Sequence, residues 1–395
     1  MSPKAFKEAR ENSDKNFVTS ICDKPYFPNL VANATSLISV AEIASQIVFH
    51  KHTPPSDFSV QNLTVTRVSG GITNVLYKVS NYPDLPYSSV LVRIFGAEGM
   101  IDRDIETSAY ASLCDAKIAH QYLGRFANGR LEGWLEGYSP LQTHQLSSIN
   151  SESDLIRRNI AQQIANLHSN FEIPNDLQPY FSLEKPGMWD QLFSWFQQAN
   201  ESVNSQTFKD GNTAVEHAKS LFLSDSFHVE TELHWLQEDV VPNTAEVAFC
   251  HNDILAANIM MKQKGDDDLH IQLIDFEYGG TNFAAFDIAN HFNEYAGGTE
   301  DGVPDYSLFP SEEKQFAFIK TYLEQRKKFG SDGDINAKVE DEAVQIMMEE
   351  VRGFVLANHL YWGLWAVNQA AAEGCDEFDY LLYAKNRFKR YQETK

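Results

Sequence analysis

Residues 249–261 read FCHNDILAANIMM, with His251, Asn252 and Asp253 followed five residues later by Asn258. A short apolar run, EVAFC (246–250), leads in and reads as a buried strand. Phosphoryl transfer from ATP needs a carboxylate to orient the attacking hydroxyl and accept its proton, and oxygen groups to hold Mg2+. An H-x-D-x-x-x-x-N stretch behind a strand supplies both, with Asp253 as base and Asn258 as metal ligand. The competing reading is a His/Asp turn that only closes a strand. Three fixed residues recur by chance in about one chain in twenty of this length, so the stretch needs company.

That company comes seventeen residues after Asn258, where LHIQLID (269–275) ends an apolar strand at Asp275 and continues Phe276-Glu277-Tyr278. A carboxylate at the end of a buried strand is costly without a cation beside it. Mg2+ on ATP phosphates is the natural one, which makes Asp275 a second metal ligand and catalytic residue. Upstream, Arg67-Val68-Ser69-Gly70-Gly71-Ile72-Thr73-Asn74 lies between two strand candidates, where glycines let backbone N–H groups approach phosphate oxygens. A Gly-Gly turn alone is more often a plain hairpin. No G-x-x-x-x-G-K-[ST] occurs, which excludes a P-loop. Arg93, inside the strand SVLVRIFG (89–96), reaches either solvent or an anion, and Glu106 in the following helix is the carboxylate expected to hold it.

Outward from these motifs, two textures divide the chain. Residues 1–35 read as a loosely held lead-in, and Leu37, Val40, Ile43, Ala44 and Ile47 recur at helical spacing behind Thr35 and Ser36 as caps. LTVTRV (63–68), VLYKVS (75–80) and SVLVRIFG form a meander, then a helix spans 101–113 and two short strands fall within 120–136. From about 150 helical periodicity dominates, interrupted by the two buried strands already named. The expectation is an α+β bilobal fold: a small β-rich N-lobe over 36–140, a larger, mostly helical C-lobe over 141–395, and a ligand cleft between them.

A net charge of −23 disfavours nucleic acid and anionic lipid as partners and mildly attracts a cationic substrate. No run of apolar residues is long enough for a membrane span, and MSPKAFKEARENSDKN has no apolar core for a secretory signal. Cys22, Cys114, Cys250 and Cys375 are widely spaced, against both a zinc site and a disulfide framework. The cytoplasm is the expected compartment.

Taken in order, RVSGGITNVLYKV, VLVRIFG, CHNDILAANIMM, IDFEYGGTNFAAFDIANHFNEYAGG and LYWGLWAVNQA resemble the choline/ethanolamine kinase family. The resemblance runs over residues 60–392, with 170–245 matching mainly as helices. It implies a protein-kinase-like fold, with ATP and Mg2+ as cofactors. It implies nucleotide contacts at Arg67, Gly70, Gly71, Thr73, Asn74 and Arg93, with Glu106 in support, Asp253 as base, and Asn258 and Asp275 on the metal. It also implies an amino-alcohol pocket from Tyr278, Glu294, Tyr295, Trp362, Trp365 and Tyr380. An ammonium group suits such a pocket, since carboxylates and aromatic faces both attract it. Trp362 and Trp365 share a helix face, an arrangement that ordinary core packing also produces. Asp287 and Glu277 are expected to support the catalytic and metal loops. In many choline kinases a Gln two residues after the catalytic Asp contacts nucleotide; Leu255 stands there, which removes one contact.

HFNEYAGG, DYSLFPSEEKQ and IDRD look closer to the ethanolamine branch. The implied reaction forms phosphoethanolamine, first step of the CDP-ethanolamine route to phosphatidylethanolamine. Asn293 and Glu294 suit the three N–H donors of a primary ammonium, while the aromatic set suits quaternary choline, so choline or dual activity stays open. Three further readings compete with these: an aminoglycoside or sugar kinase, a membrane-surface lipid enzyme, and a catalytically silent binding protein of the same fold. Homodimerisation stays open as well.

Overall fold

The computed structural model describes residues 25–50, 53–68, 74–83, 88–96, 101–263, 269–330 and 338–395. The alternating runs pair as a meander: β2 (Thr64–Val68), β3 (Asn74–Ser80) and β4 (Ser89–Phe95) are antiparallel neighbours. A hairpin of β5 (Tyr122–Phe126) and β6 (Gly129–Gly133) completes the sheet through β6 on β4. The far edge is β1 (Tyr26–Phe27), parallel to β5, giving the order β1-β5-β6-β4-β3-β2.

β1 corrects the expectation of a loose lead-in through residue 35. Arg125 donates its N–H to the Pro25 carbonyl, Ala127 to Leu30, and Asn128 Oδ1 accepts from Ala32. The segment 25–32, PYFPNLVA, is held here by backbone pairing, which leaves no periodic trace in sequence.

Helix α1 (Leu37–Val48) is capped by Ser36, whose side chain accepts from Ser39 N. It buries Val40, Ile43, Ala44 and Ile47 in a core with Val79, Val90, Val92, Phe126 and Leu131. Helix α2 (Arg103–Asp115) starts at Asp102, which accepts from Asp104 N and Ile105 N.

The C-lobe opens with β7 (Ser139–Pro140), followed by α3 (Thr143–Ser147) and α4 (Ser151–Asn170). Ile156, Ile160, Ile164 and Leu167 of α4 are fully buried, at the spacing of one helix face. Next come α5 (Met188–Asn204), α6 (Asn212–Phe222), the short strands β8 (Leu223–Ser224) and β9 (Phe227–His228), and α7 (Val229–Trp235). The lobe closes with α8 (Ala284–Asn293), α9 (Glu312–Phe329), α10 (Asp341–Glu373) and α11 (Tyr380–Thr394).

Between α7 and α8 run β10 (Val247–Cys250), β11 (Ile259–Gln263), β12 (Leu269–Leu273) and β13 (Gly280–Phe283). β10 pairs with β13, ending at Cys250↔Gly280, and β11 pairs with β12, beginning at Ile259↔Leu273. These two pairings close the loops 251–258 and 274–279 at both ends and set them side by side. Both chemical motifs therefore arrive at one place, under the N-lobe sheet.

Candidate active site

The 251–258 loop is held from below by α8. Asp287, fully buried, accepts from His251 N at 2.7 Å and from Asn252 N at 2.6 Å. Its Oδ2 also meets His168 Nε2 at 3.0 Å. A carboxylate oxygen can only accept, so His168 donates from Nε2, while its Nδ1 lies 2.9 Å from the Tyr322 hydroxyl. Arg326 in turn donates to the Tyr322 hydroxyl. Asn290 Oδ1 takes the N–H of Ile254 at 2.5 Å, and His291 Nδ1 lies 3.1 Å from the Ile254 carbonyl. Burial pushes the His291 imidazole down to about 4, so the ring is neutral and donates that bond.

Asn252 has φ of 67° and Asp275 φ of 64°, left-handed conformations that cost non-glycine residues energy. At Asn252 the surroundings enforce the turn: its amide donates to the Tyr278 carbonyl and accepts from Asn282 Nδ2, both at 2.8 Å. At Asp275 the preceding residue is pinned, with Ile274 N on the Asn258 carbonyl and Ile274 O on His251 Nε2. The two loops thus lock each other.

Asp253 emerges half-buried from this frame, with Asn258 Nδ2 donating to its Oδ2 at 3.1 Å and to its carbonyl at 3.0 Å. Burial, then the charges of Glu294, Asp275 and Glu277, raise its carboxyl well above the usual range, against the Asn258 hydrogen bond. Four acidic groups thus share one electrostatic neighbourhood. A hard, oxygen-seeking cation relieves that repulsion, and the Asn258 amide and Asp275 carboxylate are the ligand chemistry Mg2+ prefers.

Three N-lobe side chains cross the cleft to this turn. Arg93 Nη1 binds Asp275 Oδ1 at 2.9 Å, Arg103 Nη1 binds Glu277 Oε2 at 3.0 Å, and Asn74 Nδ2 donates to the same Glu277 oxygen at 3.1 Å. The other partner of Arg93 is Glu132 on β6, 2.9 Å from Nε. The structure therefore corrects the Arg93–Glu106 pairing: Glu106 binds Arg130 at 2.5 Å, and Arg130 Nε reaches Glu132 at 2.7 Å. Two cross-strand arginines, paired Arg93↔Arg130 in register, stand between α2 and the cleft. Glu132 is held down at about 2 by these two guanidinium groups despite its burial. Arg67 lies exposed on β2 opposite Tyr77, and Gly70, Gly71 and Thr73 lie outside the described residues.

On the C-lobe side four rings meet edge to face. Tyr278–Trp362 centroids are 5.4 Å apart, Trp362–Trp365 5.4 Å and Trp365–Tyr380 5.6 Å. Trp365 Nε1 donates to the Tyr278 hydroxyl at 2.9 Å. Glu294, buried, receives Arg387 Nη2 at 2.7 Å, and Arg387 Nε donates to the Tyr383 hydroxyl at 3.0 Å. Tyr383 faces Trp365, with centroids 6.4 Å apart, which connects the acid to the ring cluster. Burial raises the Glu294 carboxyl, and Arg387 opposes the rise. Gly363 makes room for this: a Cβ there would meet Phe388 Cε1 of α11 at 2.4 Å. Tyr295 sits elsewhere, packed against His291 and Phe292 within the core. Asn293 donates to Asn358 Oδ1 at 2.8 Å, tying α8 to α10.

The family model for choline/ethanolamine kinase matches residues 65–392. The chain belongs to the choline/ethanolamine kinase family. It is 34% identical to a probable ethanolamine kinase of Arabidopsis thaliana over 84% of this chain and 79% of that one. It is also 34% identical to ethanolamine kinase 1 of Homo sapiens, over 85% and 68% of the two chains. The solved Plasmodium vivax ethanolamine kinase superposes with a TM-score of 0.71 at 24% identity, covering 98% of this chain and 97% of that one.

In this kinase-family chain several site residues had no sequence motif to mark them. Arg130 and Glu132 are two apart on a strand, hence on one face, which was the available hint. Arg387 lies four residues after Tyr383 and seven after Tyr380, the helical spacing of one face. Among the described residues no helix is long and apolar enough to cross a membrane. His168, Cys250 and Asp287 approach within 4.8 Å of one another, but both Asp287 oxygens already serve the 251–254 loop.

Proposed function

We propose that this protein transfers the γ-phosphoryl group of ATP to the hydroxyl of ethanolamine. The observation that carries this reading is the meeting of the two interlocked loops under the N-lobe sheet, with Asn258 Nδ2 on Asp253 Oδ2 at 3.1 Å and Arg93 Nη1 on Asp275 Oδ1 at 2.9 Å. A candidate base at one end and an acidic, ring-lined corner at the other suit a short molecule with a hydroxyl and an ammonium. Ethanolamine kinases among the relatives support the choice of substrate.

In this reading ATP lies between the lobes, with Arg93 and Arg67 toward its phosphates. Asn258 and Asp275 would hold Mg2+, which when bound neutralises charge developing on the phosphates. Asp253 orients the substrate hydroxyl and accepts its proton. A carboxyl raised by neighbouring acids is a stronger base once it is ionised, and the cationic substrate helps ionise it. Glu294 and the faces of Tyr278, Trp362, Trp365 and Tyr380 hold the ammonium, with Arg387 fixing one Glu294 oxygen. The cytoplasm, where ATP is abundant and thiols stay reduced, is the compartment this implies.

Choline is the second reading, favoured by the four-ring cluster, which suits a quaternary ammonium. ADP release with Mg-ATP against each amino alcohol separates them. We expect kcat/KM for ethanolamine to exceed that for choline at least tenfold; the reverse order assigns choline, and turnover of neither removes the reading.

A further inference from the structure

We infer that Glu132 is the positioning residue that presents Arg93 to the nucleotide phosphates, while Glu106 contacts Arg130 instead. The inference rests on Arg93 being a phosphate ligand, as proposed above.

β-Sheet register places Arg93 directly across from Arg130, and like charges at such a pair repel. Both guanidinium groups are almost fully buried, so solvent does not screen them. One oxygen resolves the conflict: Glu132 Oε1 accepts from Arg93 Nε at 2.9 Å and from Arg130 Nε at 2.7 Å. The other, Oε2, lies 3.2 Å from the Tyr110 hydroxyl, whose single proton it shares with the His120 carbonyl at 2.8 Å. Arg130 is clamped in turn by Glu106 at 2.5 Å and stacks over Tyr110, 4.2 Å from its centroid. With its Nε end anchored, Arg93 can only direct its far end into the cleft, where Nη1 meets Asp275. Removing the Glu132 charge leaves the two buried arginines facing each other with no anion between them, each holding only its outer partner, Asp275 for Arg93 and Glu106 for Arg130, and Arg93 loses the anchor at its Nε end. Glu106 touches Arg130 and leaves the Nε end of Arg93 untouched, so its effect on Arg93 is indirect.

The test is a double-mutant cycle on MgADP affinity, read by calorimetry, with the KM values of both substrates alongside. Glu132→Gln should weaken MgADP binding tenfold or more and raise the ATP KM similarly, with the ethanolamine KM within twofold of wild type. Arg93→Ala should weaken MgADP binding by itself. In the Arg93→Ala background, Glu132→Gln should then change nucleotide affinity less than twofold. An equal factor in both backgrounds means Glu132 acts by general loosening and overturns the inference. If Arg93→Ala leaves nucleotide affinity unchanged, the phosphate-ligand reading itself fails. Should Glu132→Gln not fold, Tyr110→Phe perturbs the same carboxylate more gently and carries the same cycle, with a two- to fivefold effect expected only when Arg93 is present.

Discussion

Replacing Asp287 by Asn should separate the scaffold of the 251–258 loop from the chemistry proposed for it. Asp287 Oδ1 takes the Asn252 N–H, and Oδ2 takes the His251 N–H together with His168 Nε2. An Asn side chain keeps one oxygen and presents an NH2 that cannot accept. If the NH2 takes the Oδ1 place, the Asn252 N–H loses its acceptor. In the other orientation the His251 N–H loses its acceptor, and His168 Nε2 meets a donor in place of the carboxylate oxygen. Either way one charge-assisted hydrogen bond goes, about 2 kcal/mol, and a buried N–H is stranded, about 2 kcal/mol more. The sum of about 4 kcal/mol corresponds to a melting temperature lower by about 5 °C for a chain of this size. The left-handed turn at Asn252 loses one of its restraints, so Asp253 should shift enough to lower kcat about 100-fold. Calorimetric melting and steady-state turnover, measured on the same preparation, read both effects. A variant within 1 °C of wild type, with kcat within threefold, would refute the claim that Asp287 supports the loop.

Trp365→Leu removes one wall of the ring cluster and the donor to Tyr278, and should raise the ethanolamine KM about tenfold while leaving the ATP KM within twofold, as initial-rate kinetics would show. Arg387→Met strands the buried Glu294 carboxylate and should cost about 3 kcal/mol in chemical denaturation, far more than an exposed arginine would. His291 is neutral in the fold, with its pKa pushed down to about 4. An unfolded histidine protonates near pH 6.5, so acid favours unfolding. Relative to His291→Asn, wild type should lose up to about 1.4 kcal/mol per pH unit as pH falls from about 6.5 to about 4, with no change above that window. Denaturation of both proteins across pH 4.5–8 checks this, and a parallel pair of curves would contradict it.

What can be read from the sequence is what is local in it. His251 to Asn258 spans eight residues, and the strand ending at Asp275 declares itself by its apolar run, so the loop–strand pair is visible without a structure. The Trp362–Trp365 spacing likewise fixes a shared helix face. The partners of charged residues are not visible, because they are chosen by register and packing across long separations. Analogy with a helix–strand ion pair joins Arg93 to Glu106, whereas a second arginine on β6 intercepts Glu106, and the two arginines share Glu132. Sequence alone leaves the Glu294 charge free to face a ligand, but Arg387, ninety-three residues away, binds it. Tyr295 carries the right chemistry for the pocket, yet the short turn after α8 packs it beside His291. The strand at Tyr26–Phe27 has no signal, since parallel edge pairing of two residues imposes no pattern.

The most direct test follows the phosphoryl group itself. With Mg-ATP and ethanolamine, phosphorus NMR should show wild-type protein building up a phosphomonoester resonance, while Asp253→Asn, folded and still binding nucleotide, should be at least 1000-fold slower. Product formation by that variant within tenfold of wild type, or none by wild type at all, would contradict the account.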